Sequence, residues 1–244
     1  MIAIIGSTED DILYFVNRMN VTSVEEIAHK NKVYVGDFAR QRLVVTHTGQ
    51  TMMMGSQITG IIIDKYHPYL VIAVGAAHSI SPKLKLGDLF LAERVYLSQV
   101  DLSPISGKLR FGQVPGASLF FHSEDMCLNI IEMHNNREAN KKIVRGFVMS
   151  SNMMPTNLEE TINIVKKFRQ PLEDMIAVDT EVGGIAVACE FFDVPIVVLK
   201  STTYEVGNQE QFVARERFGI EMSPIIGNLI GHLLLDLASQ EQMQ

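Results

Sequence analysis

The sequence predicts a single α/β domain whose sheet is covered by helices on both faces. Three observations carry this. Short apolar runs such as Met1–Gly6, Tyr69–Gly75 and Pro195–Lys200 lack polar alternation, as strands buried on both faces do. Segments with apolar residues at helical spacing lie between them, so strand and helix patterns alternate along the chain. No repeat, low-complexity tract or linker divides the 244 residues. That length is close to the limit of one core, so residues 1–244 are taken as one domain.

The elements follow in order. MIAIIG is a buried strand stopped by Gly6. Ser7 to Asp11 supply cap-type residues and first-turn acids, and Ile12, Phe15, Val16 and Met19 recur at helical spacing behind them. Lys32–Phe38 and Arg42–Thr46 read as a hairpin around Ala39-Arg40-Gln41. A Met-rich helix covers Met52–Lys65, where Met52, Met53 and Met54 suit a core or a dimer surface. Tyr69–Gly75 is a strand ending in Gly75-Ala76-Ala77, and Asp88–Tyr96 is another. Residues 97–122 lack periodicity and carry Pro104, Gly107, Gly112, Pro115 and Gly116. A loop that long in a compact domain is commonly functional. Glu124–Arg137 reads as helix, Ile143–Ser150 as strand, Leu158–Phe168 as helix and Ile176–Asp179 as strand. Glu181–Phe191, rich in Ala and Val, is a helix buried on most sides. Pro195–Lys200 is a strand, Ser201–Asn208 a polar loop, and one or two helices precede a polar end at Ser239–Gln244.

Composition narrows the function. An apolar fraction of 47% with net charge −7 excludes a disordered chain. Twenty-one Lys and Arg against 28 Asp and Glu, without a basic cluster, argue against a nucleic-acid partner. Two cysteines, Cys127 and Cys189, in apolar helical settings read as buried thiols and suit a reducing cytoplasm. The N-terminal run has no basic flank, and Ile225–Ala238 is too short to span a bilayer and carries Asn228, His232 and Asp236. No membrane or export segment is therefore expected. His47, His67, His78 and His122 show no paired metal-ligand spacing, so no metal is expected. His78 follows a small-residue strand end and is a candidate to face a pocket. There is no G-x-G-x-x-G or Walker-type loop, and no cofactor is expected.

In α/β sheets ligands bind outside the carboxyl ends of strands. The segments to inspect are therefore Gly6–Asp11, His47–Thr51, Gly75–Ser79, Ser150–Pro155, Asp179–Glu181 and Lys200–Glu205.

Several of these carry a resemblance. MIAIIGSTEDD resembles the strand and G-A-M-E-E-E that open bacterial 5′-methylthioadenosine/S-adenosylhomocysteine nucleosidases. Val74-Gly75-Ala76-Ala77 is similar to their T-G-S-A-G, Leu84–Asp88 to L-K-V-G-D, and Phe111–Pro115 to Y-G-Q-x-P. Gly146–Ser150 resembles the strand before S-G-D, Ala177–Ala188 resembles A-V-E-M-E-A-x-A-I-A, and Asp193–Lys200 resembles N-V-P-F-V-V-V-R. The order is colinear over most of the chain. The resemblance implies the nucleoside phosphorylase/nucleosidase fold, with a mixed, twisted central sheet in a three-layer α/β/α arrangement. It also implies hydrolysis of an adenine–ribose bond, a place in methionine salvage, and a homodimer. In that family Val95–Ser103 and Phe111–Pro115 help build the dimer.

The resemblance assigns roles one residue at a time. Glu181 falls on the glutamate that grips the ribose hydroxyls, where a carboxylate also favours a developing positive charge. Asp11 falls on the last acid of the opening run, which holds the attacking water, and Lys200 on an arginine that orients this acid and water. Asp179, Thr180, Ala76 and Ala77 line the substrate site by position, with Ala76 replacing a serine and Thr180 a methionine beneath the ribose. Met154 replaces an aromatic that stacks on the purine. Pro155 falls where a backbone N–H would read the adenine edge, and proline has none. Tyr204 stands where the family keeps its purine-protonating aspartate, and a phenol with an ordinary pKa near ~10 is a poor acid at neutral pH. Glu205, one residue on, is the candidate substitute. General acid catalysis is typically worth ~10²–10⁴-fold, so this position matters. The GSTEDD loop is acidic where phosphorylases of this fold place an arginine, which favours water over phosphate. Two other readings stay open: a catalytically impaired paralogue that binds a nucleoside or acts as an assembly partner, and a nucleosidase or phosphorylase with another base preference.

Overall fold

The computed structural model describes residues 1–28, 31–139, 141–169 and 172–241. Of the polar end expected at Ser239–Gln244, the part beyond Glu241 lies outside the described residues. The first strand, β1 (Ile2–Gly6), leads into helix α1 (Glu9–Arg18). Strands β2 (Asn20–Glu26), β3 (Lys32–Phe38) and β4 (Gln41–His47) form an antiparallel meander. Helix α2 (Met52–Tyr66) leads to β5 (Leu70–Ser79), β6 (Leu89–Leu97), the two-residue β7 (Phe121–His122) and helix α3 (Asp125–His134). A π-helical turn at Asn135–Ala139 ends α3. Then come β8 (Ile143–Ser150), α4 (Leu158–Lys166), β9 (Met175–Asp179), α5 (Val182–Phe191), β10 (Ile196–Glu205) and α6 (Gln209–Glu241).

Alternation of side chains along β1 sorts the two faces. Ala3 and Ile5 join a core with Ile58 and Ile62 of α2 and Ile185 of α5. Ile2 and Ile4 point the other way, onto Phe15 of α1, Leu128 of α3 and Leu229, Ile230 and Leu233 of α6. Helices therefore cover both faces, and the sheet is mixed. It is also bent. β5 pairs with β9, β9 with β8, β8 with β6, β6 with β10 and β10 with β5, so five strands close into a ring at one end of the ten-stranded sheet.

Two departures from the expected elements have physical causes. β2 is a polar, mostly exposed edge strand, so it has no apolar face to betray it in the sequence. Ser201–Glu205, expected as loop, continues β10 alongside β5, with a bulge between Thr202 and Tyr204. Its polar side chains are strand residues turned inward: Ser201, Thr202, Thr203 and Tyr204 are all buried. α6 is one helix that runs through Pro224. It is long and apolar enough by composition to cross a membrane, but its apolar side chains Met222, Ile226, Leu229, Ile230, Leu233 and Leu234 are buried in the protein core. Cys127 and Cys189 are buried free thiols.

The start of α5 is set by close packing against α2. A Cβ on Gly184 would lie 1.8 Å from the carbonyl oxygen of Met52, and one on Gly183 2.6 Å from Ser150 Cβ. Only glycine lets the two backbones approach this far, which fixes the position of Glu181 at the α5 N-terminus. Replacing Gly184 by Ala should therefore destabilise the fold by about 1–3 kcal/mol or more, as overpacking of a tight contact does. Urea denaturation with an unchanged m-value is the check.

Candidate active site

Six strand ends meet around one cleft of about 190 Å³. Ser7, Thr8, Asp10 and Asp11 come from the end of β1, and Gln50 follows β4. Ala76 and His78 lie on β5 and Met154 follows β8, while Thr180 and Glu181 follow β9 and Thr203 lies on β10. The fourth wall is the start of α6, with Arg215, Glu216, Gly219 and Ile220. A larger hollow of about 600 Å³ lies elsewhere, beside Phe111 and Phe168, and contains none of the residues assembled here.

Beneath the cleft lies an ion cluster, in which Glu181 lines the cavity while Asp179, expected to line it, is wholly buried below. Lys200, 1% exposed, extends its Nζ from β10 to Glu181 Oε1 and, at 3.2 Å, to Asp179 Oδ2. Glu181 Oε2 accepts the Thr180 hydroxyl at 3.0 Å. Asp179 also accepts Ser150 Oγ at 2.8 Å and the Val182 N–H at 3.1 Å. Every buried charge thus has partners, without which such a cluster would be strongly destabilising. Burial, joined by the neighbouring Asp179 and Asp11 carboxylates, raises the Glu181 pKa to about 7 despite the opposing pull of Lys200. Burial alone would depress Lys200, but Glu181 and Asp179 outweigh it and hold the ammonium above its ordinary pKa. The two shifts agree: acids outnumber the one base, so the cluster keeps the base charged and retains a proton readily.

Asp11 faces this cluster across the β1–α1 turn. Its Oδ2 accepts four hydrogen bonds, from the N–H and hydroxyl of Ser7 at 3.0 and 2.8 Å and of Thr8 at 2.8 and 2.9 Å. The Thr8 N–H contact is one half of a capping box, so the acid's orientation follows from helix initiation. Its Oδ1 accepts no hydrogen bond among the described residues. Gly75, at φ +129°, lies beneath this carboxylate, where a Cβ would stand 3.0 Å from Asp11 Cγ. A side chain there would be both strained and in contact with the acid. Lys200 does not hydrogen-bond Asp11. Its direct partners are Glu181 and Asp179, and Asp11 acts on it only through its charge at longer range.

The remaining wall corrects several expectations. Glu205 does not enter the cleft: its Oε2 pairs with Lys85 Nζ at 3.0 Å, because the β10 bulge turns this residue toward the β5–β6 connection. Tyr204 is fully buried, and its hydroxyl donates to the Pro155 carbonyl oxygen rather than facing Glu181. Burial raises its pKa, with Arg215 opposing. Pro155 itself stands outside the cleft lining, acting through that carbonyl, and Ala77 is wholly buried and does not line it. His78, by contrast, lines the cleft. Its Nδ1 shares a 3.2 Å hydrogen bond with Thr203 Oγ1, and its ring lies 4.5 Å from that of Tyr204. Burial first, then the charges of Lys200 and Arg215, lower its pKa to about 3. Among the described residues no group of three or more His, Cys, Asp or Glu is placed to hold a metal ion.

Comparison with known proteins bears on the family and the fold. The family model described as Phosphorylase superfamily matches residues 1–226. The 5′-methylthioadenosine/S-adenosylhomocysteine nucleosidase of Staphylococcus haemolyticus is 26% identical over 235 residues, covering 96% of this chain and 99% of that protein. The crystal structure of the nucleosidase of the same name from Neisseria meningitidis, in complex with methylthio-immucillin-A, superposes with a TM-score of 0.85 at 20% identity, over 96% of this chain and 98% of that one. The S. pneumoniae nucleosidase structure with the transition-state inhibitor MT-ImmA gives 0.84 at 19% identity, over 97% and 99%.

The buried His78 also sets an acid-side liability. Unfolding returns the ring to an ordinary pKa of 6.5 from about 3 in the fold. Between those values the unfolded chain binds the extra proton, so this contribution to stability is present above pH 6.5 and is lost as pH falls toward 3. His78→Gln should flatten the acid limb of unfolding free energy against pH by at most about 1.4 kcal/mol per pH unit, the limit for one proton. Denaturant titrations across that range check it.

Proposed function

The chain belongs to the phosphorylase superfamily, and from that premise we propose that it hydrolyses the N-glycosidic bond of an adenine nucleoside such as 5′-methylthioadenosine or S-adenosylhomocysteine, releasing the base. One observation carries the reading: a buried glutamate, fixed on a lysine, faces a second fixed carboxylate across a cleft of about 190 Å³. Cleavage of such a bond places positive charge on the ribose ring. Preorganised negative groups stabilise that charge without reorganising at the moment of reaction. Glu181 accepts hydrogen bonds from the ribose hydroxyls. Lys200 and Thr180 hold it in place, and Lys200 leaves the cluster net negative. Asp11 has one oxygen locked by Ser7 and Thr8 and the other free to accept a proton from water. Met154, on the cleft wall, packs against the base.

Water is favoured over phosphate as nucleophile. Asp10, Asp11, Glu181 and Glu216 line the cleft against one cation, Arg215, while Lys200 is already neutralised beneath it. A phosphate dianion would meet like charge there. A cytoplasmic homodimer accompanies the proposal. Two buried free thiols support the compartment, and the exposed apolar side chains of Met53, Ile105, Phe191 and Phe192 support the dimer.

The purified protein should release adenine from methylthioadenosine or adenosylhomocysteine equally with and without phosphate. Absence of release at high enzyme concentration would sink the reading and favour a silent nucleoside-binding paralogue, and release from inosine alone would point to another base. Glu181→Gln should lower kcat by ~10²–10³-fold, the usual effect of removing one transition-state charge contact. The ionised carboxylate is the working form, so kcat/KM should rise with pH through about 7 and lose that limb in the variant.

A further inference from the structure

Neither residue that the sequence offered as the purine acid is free to protonate the departing base. Glu205 is turned onto Lys85, and the Tyr204 hydroxyl is committed to the Pro155 carbonyl. His78 stays neutral, since its pKa is lowered to about 3 by burial and by the charges of Lys200 and Arg215. A purine leaving from C1′ carries the bonding electron pair and becomes an anion unless something stabilises or protonates it. The wall near His78 and Thr203 holds one group of the right charge.

That group is Arg215. Arg215 lines the same cleft as Glu181, Thr203 and His78. It lies 4.3 Å from the centre of the Phe212 ring, and that ring packs edge-on against Tyr204 at 5.4 Å. One terminal nitrogen donates to the Phe212 carbonyl oxygen at 2.8 Å, and the other reaches Glu216 at 3.5 Å. The Glu216 side chain is 81% exposed, whereas that of Arg215 is 25% exposed. The guanidinium is thus anchored by its face and one edge, with further N–H donors left over. It keeps its charge at any working pH. Its field already reaches this wall, since it opposes the charging of His78 and favours an anion at Tyr204.

We propose that Arg215 is a catalytic residue of base release: its guanidinium hydrogen-bonds the departing purine and stabilises it as an anion, where a general acid would otherwise protonate it. This rests on the hydrolytic reading above. The C1′–N9 bond breaks with its electron pair going to the purine. Water forms the new C1′–O bond, and its proton passes to the free oxygen of Asp11. A proton from solvent then neutralises the released purine, Asp11 returns its own to solvent, and Arg215 stays a cation throughout.

Leaving-group dependence separates this role from a structural one. Wild type, Arg215→Met and Arg215→Lys are compared on an adenine nucleoside and on a riboside of the same sugar carrying a nitrophenolate, which departs as a stable anion. Arg215→Met should lower kcat on the adenine nucleoside by ~10²-fold, the usual cost of one such donor, and by a much smaller factor on the nitrophenyl riboside. Arg215→Lys should recover part of the loss, and added guanidinium should partly rescue Arg215→Met. Arg217→Met, at a neighbouring exposed arginine paired with Glu221, should behave as wild type. Equal losses on both substrates, or no loss on either, overturn the proposal. A wild-type protein that releases no base from any nucleoside fails one step earlier, and takes the hydrolytic reading and this proposal with it.

Discussion

A single lysine buried among carboxylates is the constraint on which the rest of the structure depends. Lys200 carries a full charge at 1% exposure, which is tolerable only because Glu181 and Asp179 meet it directly. Meeting it requires β10 to run in register with β5, so that Lys200 lies beside Gly75, and β9 to end where α5 begins. It also requires α5 to start hard against α2, which the glycines at 183 and 184 permit. The closed ring of five strands, the small residues at strand ends and the tight helix contact all serve one placement.

That placement explains the chemistry the cleft favours. A site with four lining carboxylates suits a ribose ring gaining positive charge and discourages a phosphate nucleophile. The leaving-group end follows a different logic from the ribose end. There the wall offers a neutral imidazole, a hydroxyl and a guanidinium, the groups on which the proposed stabilisation of a departing anion rests.

Much of this was legible in the sequence, and the reasons are local. Apolar runs ending in glycine or small residues marked the strand ends, and every one of the six inspected segments contributes to the cleft wall. Glu181 and Asp11 lie in segments that strand-end reasoning marked, and the family resemblance singled them out within those segments. The α6 wall was not readable. Arg215 lies far along the chain from β1 and reaches the site because α6 packs on β10, with Phe212 against Tyr204, and on α1, with Tyr14 hydrogen-bonded to Asn228 at 2.6 Å and Ser223 to the Asp10 carbonyl at 3.1 Å. Glu205 was misplaced because a bulge, invisible in the sequence, shifts the side-chain alternation after Thr202. The polar run Ser201–Tyr204 looked like a loop because burial of hydroxyls depends on partners in other strands, such as His78 for Thr203.

The most direct test of the ion cluster is a carboxyl-carbon NMR titration of Glu181 in the ligand-free protein, with the Lys200 side-chain resonance followed in parallel. The account predicts that Glu181 takes up its proton near pH 7, well above the ordinary 4.5, while Lys200 remains charged past its ordinary 10.5. A Glu181 transition at 4.5 with Lys200 losing its proton below 10.5 would contradict it, because the two groups would then be titrating as solvated, separate side chains.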